Sequence, residues 1–301
     1  MKLSVCIPVY NTDVRELVNA LYRQCEELQE EVEIILIDDC SALAFREKNE
    51  ELKEKNNVHY YQLNTNVGRS KIRNLFLNIA KGEYLLFLDG DSLMAKAYQD
   101  DFLMNYIDEI GNKSAVICGG RIYPVISNLD QQLSYQYGIK RESRNAEQRS
   151  VQPNTSFMTN NFAIRREILE QIRFDERLTR YGHEDTLFGI ELAAAGIVVT
   201  HIENPVLNGH VEKNDEFLRK TRAAIDNLHL ILQFQFRKEE LINAILLIKK
   251  AEEIRKMKLR LPVVLVYRLT RKQIENRLIK GKINLRLFDF YKLGYFLSIR
   301  A

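Results

Sequence analysis

Gly82-Glu83-Tyr84-Leu85-Leu86-Phe87-Leu88-Asp89-Gly90-Asp91-Ser92 is the stretch from which the fold of this chain is read. Tyr84 to Leu88 is an unbroken apolar run, with the length and composition of a strand buried on both faces of a parallel sheet. Two carboxylates, Asp89 and Asp91, follow it with only Gly90 between them. In an open α/β sheet, ligands sit beyond the carboxyl ends of the strands. Two acids on a turn there suit a divalent cation that also holds phosphate oxygens. Taken alone, Asp-Gly-Asp is more simply a polar turn closing a strand. Its neighbours decide between the two.

Upstream, strand and helix patterns alternate. Leu3 to Val9 is a β-branched apolar run stopped at Tyr10-Asn11. Thr12 can cap a helix whose Val14, Leu17, Val18, Leu21, Cys25 and Leu28 share one face. Val32 to Ile37 reads as a second buried strand closed by Asp38-Asp39, and Val58 to Leu63 as a third. Gly68 opens a helix with Ile72, Leu75, Phe76 and Ile79 inward, and Gly82 closes it. This alternation predicts a mostly parallel, doubly wound sheet flanked by helices. Beyond Asp91 the pattern loosens. A helix is expected near 95–110, a strand over 115–118, and long polar loops over 124–156. A helix over 184–195 and a strand over 197–202 follow, and from Asn214 nearly everything reads helical. The expected division is therefore 1–213 and a helical, basic extension, 214–301.

Composition sets the class. The 301 residues are 46% hydrophobic and 28% charged, as in an ordinary globular protein, with no apolar run long enough to cross a bilayer. Four cysteines without metal-type spacing read as free thiols in a reducing compartment. The start of the chain has no signal-peptide layout, so the expected location is the cytoplasm, or the inner face of a membrane as a peripheral protein. Charge is divided unevenly. From Ile254 to Ala301 there are 13 basic and 2 acidic residues, against 31 basic and 39 acidic before them. A basic tail on an acidic body suggests a docking surface for something anionic.

The polar groups fall where the strands end: Pro8-Val9-Tyr10-Asn11, Asp38-Asp39, Asn64-Thr65-Asn66 and Asp89-Gly90-Asp91. In a parallel sheet those ends share one edge, so the groups should converge on one crevice. Arg69 and Arg73, one turn apart after Gly68, can face it and meet phosphate. A second acidic pair, Glu184-Asp185, follows Tyr181-Gly182-His183 in the first turn of a helix. The helix dipole accounts for one such acid; a carboxylate near a cation and a sugar hydroxyl can also act as general base. His210 is a loop histidine, by itself an ordinary surface residue.

Together these strings resemble the non-processive family 2 glycosyltransferases over roughly residues 3–215. The resemblance rests on Ser4 to Asn11, Ile37-Asp38-Asp39-Cys40-Ser41, Asn66-Val67-Gly68 with Arg73-Asn74, Gly82 to Asp91, and Gly182-His183-Glu184-Asp185. It implies a GT-A type, Rossmann-like fold, an inverting mechanism and a divalent cation, Mn²⁺ or Mg²⁺. It implies a nucleotide site of Pro8, Tyr10, Asn11, Asp39, Asn66, Gly68, Arg73, Asp89 and Gly90. Asp91 would bind the cation directly with Asp89 in its shell and His210 as a late ligand, a place for which Asn208 competes. Asp185 would be the catalytic base and Glu184 would help to place the acceptor. Asn160, Asn161 and His183 would lie near the sugars, and residues 119–162 would meet the acceptor, with Tyr123, Tyr135 and Tyr137 either stacking on sugars or simply packing. The chain departs from the pattern at Ser92, where a third acid is common, and at His183, where an aromatic residue is. It has no Trp, and so lacks the Gln-x-x-Arg-Trp signature of processive synthases.

The expected activity is transfer of a single sugar from a nucleotide-sugar, a UDP-sugar first among them, to a glycan or lipid-linked acceptor. Two alternatives stand beside it: a non-catalytic nucleotide-sugar-binding scaffold, and a sugar-phosphate nucleotidyltransferase, which lacks here its Gly-rich loop after the first strand. The tail, where Leu285, Leu287, Phe288, Phe290 and Tyr291 interleave with basic residues, fits a peripheral membrane contact, a packed appendage or a homodimer contact. No motif for nucleic acid is present.

Overall fold

The computed structural model describes residues 2–29, 31–124, 132–178, 181–209, 211–234 and 237–299. In chain order the elements are β1 (Leu3–Val9), α1 (Arg15–Glu27), β2 (Val32–Asp38), α2 (Leu43–Glu50), β3 (Val58–Gln62), α3 (Arg69–Leu75), β4 (Tyr84–Leu88), β5 (Ser92–Met94), α4 (Phe102–Gly111), β6 (Val116–Cys118) and β7 (Arg121–Ile122). Then come α5 (Leu133–Tyr137), α6 (Ala146–Ser150), β8 (Asn161–Arg165), α7 (Arg166–Gln171), α8 (Glu184–Ala194), β9 (Val199–His201) and β10 (Val206–Asn208). The chain closes with α9 (Asn214–Gln233), α10 (Lys238–Ala244), α11 (Leu246–Lys256), α12 (Arg260–Ile279) and α13 (Leu285–Ser298).

Seven strands form the main sheet in the order β3-β2-β1-β4-β8-β6-β9. β1, β2, β3 and β4 are parallel, while β8 runs antiparallel to both β4 and β6. β9 is parallel to β6, so the sheet is mostly parallel, as the alternating pattern predicts. β4 lies at its centre, between β1 and β8, with all five residues buried. Alternate side chains enter the two cores. Tyr84, Leu86 and Leu88 pack with α1 and α4, while Leu85 and Phe87 pack with α3, α7 and α8. Phe87 stacks on Phe162 at 5.0 Å and meets Phe76 edge-on at 5.6 Å. Gly82 has no room for a side chain, because an added Cβ would lie 2.6 Å from the Ser4 nitrogen. Its own N–H donates to the Ser4 hydroxyl, which in turn donates to the buried Glu33 carboxylate.

The chain divides into two compact units, residues 1–124, 143–179 and 184–210, and residues 125–142, 180–183 and 211–301. The linear division at 213 and 214 read from the sequence does not contain the two short excursions into the second unit. Regular structure also appears within 124–156, as α5 and the capping-boxed α6, where the sequence suggests only loops. Segments this short carry too little periodic signal. In the second unit Leu133, Leu218, Tyr267, Ile274, Leu278, Phe288 and Tyr291 form the core. Gly294 lets α13 approach α12 closely, since a Cβ there would sit 2.5 Å from the Tyr267 ring. Among the described residues no helix is long and apolar enough to cross a membrane.

Truncating Phe87 to Ala empties the junction of three buried rings. It should lower the unfolding free energy by about 3–5 kcal/mol in urea titration.

Candidate active site

β4 delivers Asp89 at the carboxyl edge of the sheet, and backbone bonds fix the turn that follows. Asp89 N–H donates to the Asn160 carbonyl at 3.1 Å, and Ser92 N–H to the Asp89 carbonyl at 3.0 Å. Gly90 is favoured by closeness, since a Cβ would lie a tight 3.1 Å from both the Pro8 carbonyl and Val14 Cγ1. The turn is thereby pressed against the end of β1. The Arg73 guanidinium, almost wholly buried, donates to Asp89 at 2.9 Å and lies 5.7 Å from the Phe174 ring centre. A buried cation of this kind depends on its carboxylate.

The end of β2 is occupied differently. Asp38 is consumed internally, accepting from Ser41 N–H and the Tyr60 hydroxyl. Asp39 donates its N–H to the Val9 carbonyl and accepts from Val67 N–H at 2.6 Å and Gly68 N–H at 3.0 Å. Its carbonyl accepts from the Asn66 amide. Gly68 adopts a left-handed φ of 83°, which a side chain would resist. Asn11, also left-handed, joins the loops after β1 and β2: its N–H donates to Ser41 Oγ and its Oδ1 accepts from Ala42 N–H. Asp39 and Asn11 therefore tie loops together, leaving Pro8 half-buried and Tyr10 exposed beside them.

Glu184 and Asp185 open α8. Arg69 Nη1 lies 3.5 Å from Glu184 Oε1. Burial pushes the Glu184 carboxyl up, but the charges of Arg69 and Arg73, with its backbone and Arg69 hydrogen bonds, together outweigh it and its pKa falls below the ordinary value. Asp185 moves the other way. Burial first, and the Glu184 charge second, push its pKa up to about 6 against the opposing Thr186 N–H bond at 2.7 Å. Asp91 is an exposed residue, yet desolvation by the surrounding protein first, and the Asp89 charge second, raise its pKa. Arg69 and Arg121 both oppose that rise. Four carboxylates and three arginines thus share the carboxyl edge of the first unit.

Arg121 has no place in the sequence reading. It reaches the acids because β7 belongs to a small second sheet, β5-β10-β7, formed from strands of two or three residues. The Gly119-Gly120 turn was its only signal. The same sheet pairs Asn208 with Ser92, and Gly209 N–H donates to the Asp91 carbonyl at 3.2 Å. His210 itself lies outside the described residues. Among those described, no three His, Cys, Asp or Glu side chains are grouped to hold a metal.

One expectation is corrected, and one open choice is decided. Asn161 is 0% exposed and spent on the fold, accepting from Tyr106 and donating to the Gly120 and Asn204 carbonyls. It cannot meet a sugar; its neighbour Asn160, also buried, has an Oδ1 with no hydrogen-bond partner. Tyr135 is buried and Tyr137 packs on Phe217 and Phe288, so both are packing residues of the second unit rather than sugar platforms. His183 has a left-handed φ of 69° and falls in the second unit.

Residues 4–173 match the model of the family described as Glycosyl transferase family 2. The chain belongs to that family. The poly(ribitol-phosphate) β-N-acetylglucosaminyltransferase TarS of Staphylococcus aureus is 38% identical over 112 residues, covering 36% of this chain. That match spans 19% of the length of TarS. A crystal structure of S. aureus TarS 1–349 with UDP-GlcNAc superposes with a TM-score of 0.52 at 19% identity, covering 98% of this chain and 90% of that one. The mannosyltransferase PcManGT from Pyrobaculum calidifontis, with GDP-Man and Mn²⁺, gives a TM-score of 0.62 at 14% identity, over 98% and 84%. The family 2 chain therefore has the GT-A glycosyltransferase fold.

If Asn161 is structural, Asn161→Ala leaves the Tyr106 O–H without its acceptor and the Asn204 carbonyl without its donor, at about 1–3 kcal/mol for each group. Thermal melting should fall markedly while nucleotide affinity, measured by calorimetry, stays unchanged.

Proposed function

We propose that the protein is a metal-dependent, inverting glycosyltransferase that moves one sugar from a UDP-sugar to a hydroxyl of a glycan or lipid-linked acceptor, in surface polysaccharide or glycoconjugate synthesis. The observation that carries this reading is the separation of two neighbouring acids by their surroundings. Glu184 is held ionised by two arginines, whereas Asp185 is raised toward neutrality. Carboxylates pushed apart in this way mark acid-base chemistry. The solved TarS complex with UDP-GlcNAc, and the glycosyltransferase names of the relatives, support the donor class.

In this reading Pro8 and Tyr10 wall the nucleotide, and Asp39 orders the Asn66–Gly68 loop while each of its oxygens keeps a free lone pair. Asn11 sets the mouth, and Arg73 and Gly90 hold the Asp89 turn in place. The residues suit a divalent cation: Asp89 and Asp91 supply hard oxygen donors, and their mutual repulsion is of the kind a cation relieves. His210 would complete the set as the late ligand that the family resemblance implies. A bound cation would neutralise charge developing on the departing diphosphate. Arg69 and Arg121 add fixed positive charge for that diphosphate. Asp185 accepts the acceptor hydroxyl proton as the oxygen bonds to the anomeric carbon and the bond to the β-phosphate oxygen breaks. Nucleoside diphosphate leaves, and one in-line displacement inverts the centre. Glu184 orients the acceptor, while Asn160 faces the sugars.

Release of nucleoside diphosphate from UDP-, GDP- and dTDP-sugars, with Mn²⁺, Mg²⁺ or EDTA, tests this directly. Slow, metal-dependent hydrolysis of a UDP-sugar, lost in Asp91→Ala, is expected. Silence across the panel, with no thermal stabilisation by any nucleotide, would overturn it.

The base has its own signature. An acid pKa raised to about 6 means that the active, deprotonated form is lost as pH falls through that value. The rate kcat/KM should drop about tenfold per unit below pH 6 and level off above it. Asp185→Asn should lower kcat by about 10²–10⁴ while UDP binding persists.

A further inference from the structure

α12 carries apolar residues on two opposite sides. Tyr267, Ile274 and Leu278 face the core of the second unit. Leu261, Leu265 and Leu269, spaced one turn apart, lie on the other side and are 78%, 60% and 72% exposed. Val266 extends the strip, and Met257 and Leu259 lead into it, all exposed. A helix on the surface of a globular unit normally turns a polar face outward. Scattered exposed leucines need no explanation, but an ordered row of them does.

The charges around this row have one sign. Between Lys256 and Lys282 the chain has nine Lys and Arg residues and a single acid, Glu275. That acid is already held, by Arg222 at 2.9 Å and the Tyr291 hydroxyl at 2.7 Å. Arg268 and Lys272 lie on the leucine side, with Arg271 at its flank, and all three are exposed. The outward face is therefore apolar in its first half and increasingly cationic in its second.

We propose that this face of α12 seats the protein on an anionic lipid surface. The leucines enter the boundary between headgroups and acyl chains, and the long basic side chains reach back to the phosphates. Charge selects this occupant over a second copy of the chain. A two-fold contact buries two copies of this same patch together, which gathers Arg268, Arg271 and Lys272 of both copies into one interface without supplying an acid to meet them. A lipid headgroup layer supplies the missing negative charge and the apolar depth together. The inference goes beyond sugar transfer and does not depend on it.

Flotation of the full chain with vesicles of phosphatidylcholine, alone or mixed with phosphatidylglycerol, tests it without any sugar donor. The protein should float with the mixed vesicles about tenfold more than with the neutral ones, and less as salt is raised. Leu261→Gln/Leu265→Gln/Leu269→Gln and Arg268→Gln/Arg271→Gln/Lys272→Gln should each reduce flotation about tenfold. Circular dichroism and nucleotide release should remain as in the parent, because the replaced side chains are exposed in the second unit. Equal flotation of the leucine variant, or no flotation of the parent, would overturn the proposal. So would a dimer in sedimentation velocity that the leucine variant dissolves while vesicles bind nothing.

Discussion

Burial of β4 on both faces is the constraint from which the site follows. A strand held between β1 and β8, with helices on either side, has no room for a polar side chain along its length. Its first opportunity for charge is the residue after Leu88, at the edge of the sheet. β2 is closed by a related constraint, since its last residue, Asp38, is still buried and must spend its carboxylate on Ser41 and Tyr60. Function can begin only one residue later. The apolar core therefore sets where the acids stand as well as how firmly they are held.

Once placed there, the acids are governed by their shared cations. Arg73 is paired with Asp89 yet also depresses Glu184; Arg69 acts on Glu184 and Asp91; Arg121 acts on Asp91 and Asp185. No carboxylate of the four is tuned independently. A change at Arg69 alters both the Asp-Gly-Asp turn and the start of α8, because the cation contributes to both fields. Such shared charges couple neighbouring substitutions, so their effects should not add.

The first half of the fold was legible because its signals are local and long. Apolar runs of five to seven residues, each ended by a polar turn, specify a buried strand and its direction of exit. Asp89, Asp91, Glu184 and Asp185 could be found as residues that end such runs or open a helix. Their pairing with particular arginines could not, since it depends on strands too short to leave a pattern. β7 and β10 have two and three residues, yet they bring Arg121 and Gly209 to the site. Asn161 misled for a related reason. A polar residue after Asn160 reads as ligand-facing, and nothing local reveals that Tyr106, Gly120 and Asn204 claim all of its hydrogen bonds.

Glu184 and Asp185 show why sequence adjacency says little about chemical role. The first turn of a helix favours both anions through the dipole, so the local field alone would lower both. The divergence comes from outside the helix. Glu184 points to Arg69 and within reach of the Arg73 charge, and these attractions together with its hydrogen bonds exceed its cost of burial. Asp185, one residue on and about 100° around the axis, receives Arg121 and the Thr186 N–H and hydroxyl against burial and the charge of Glu184. The ionised neighbour is thus part of what raises the proposed base. Removing the Glu184 charge would lower the Asp185 pKa and weaken it as a proton acceptor, even if the acceptor sugar were still bound.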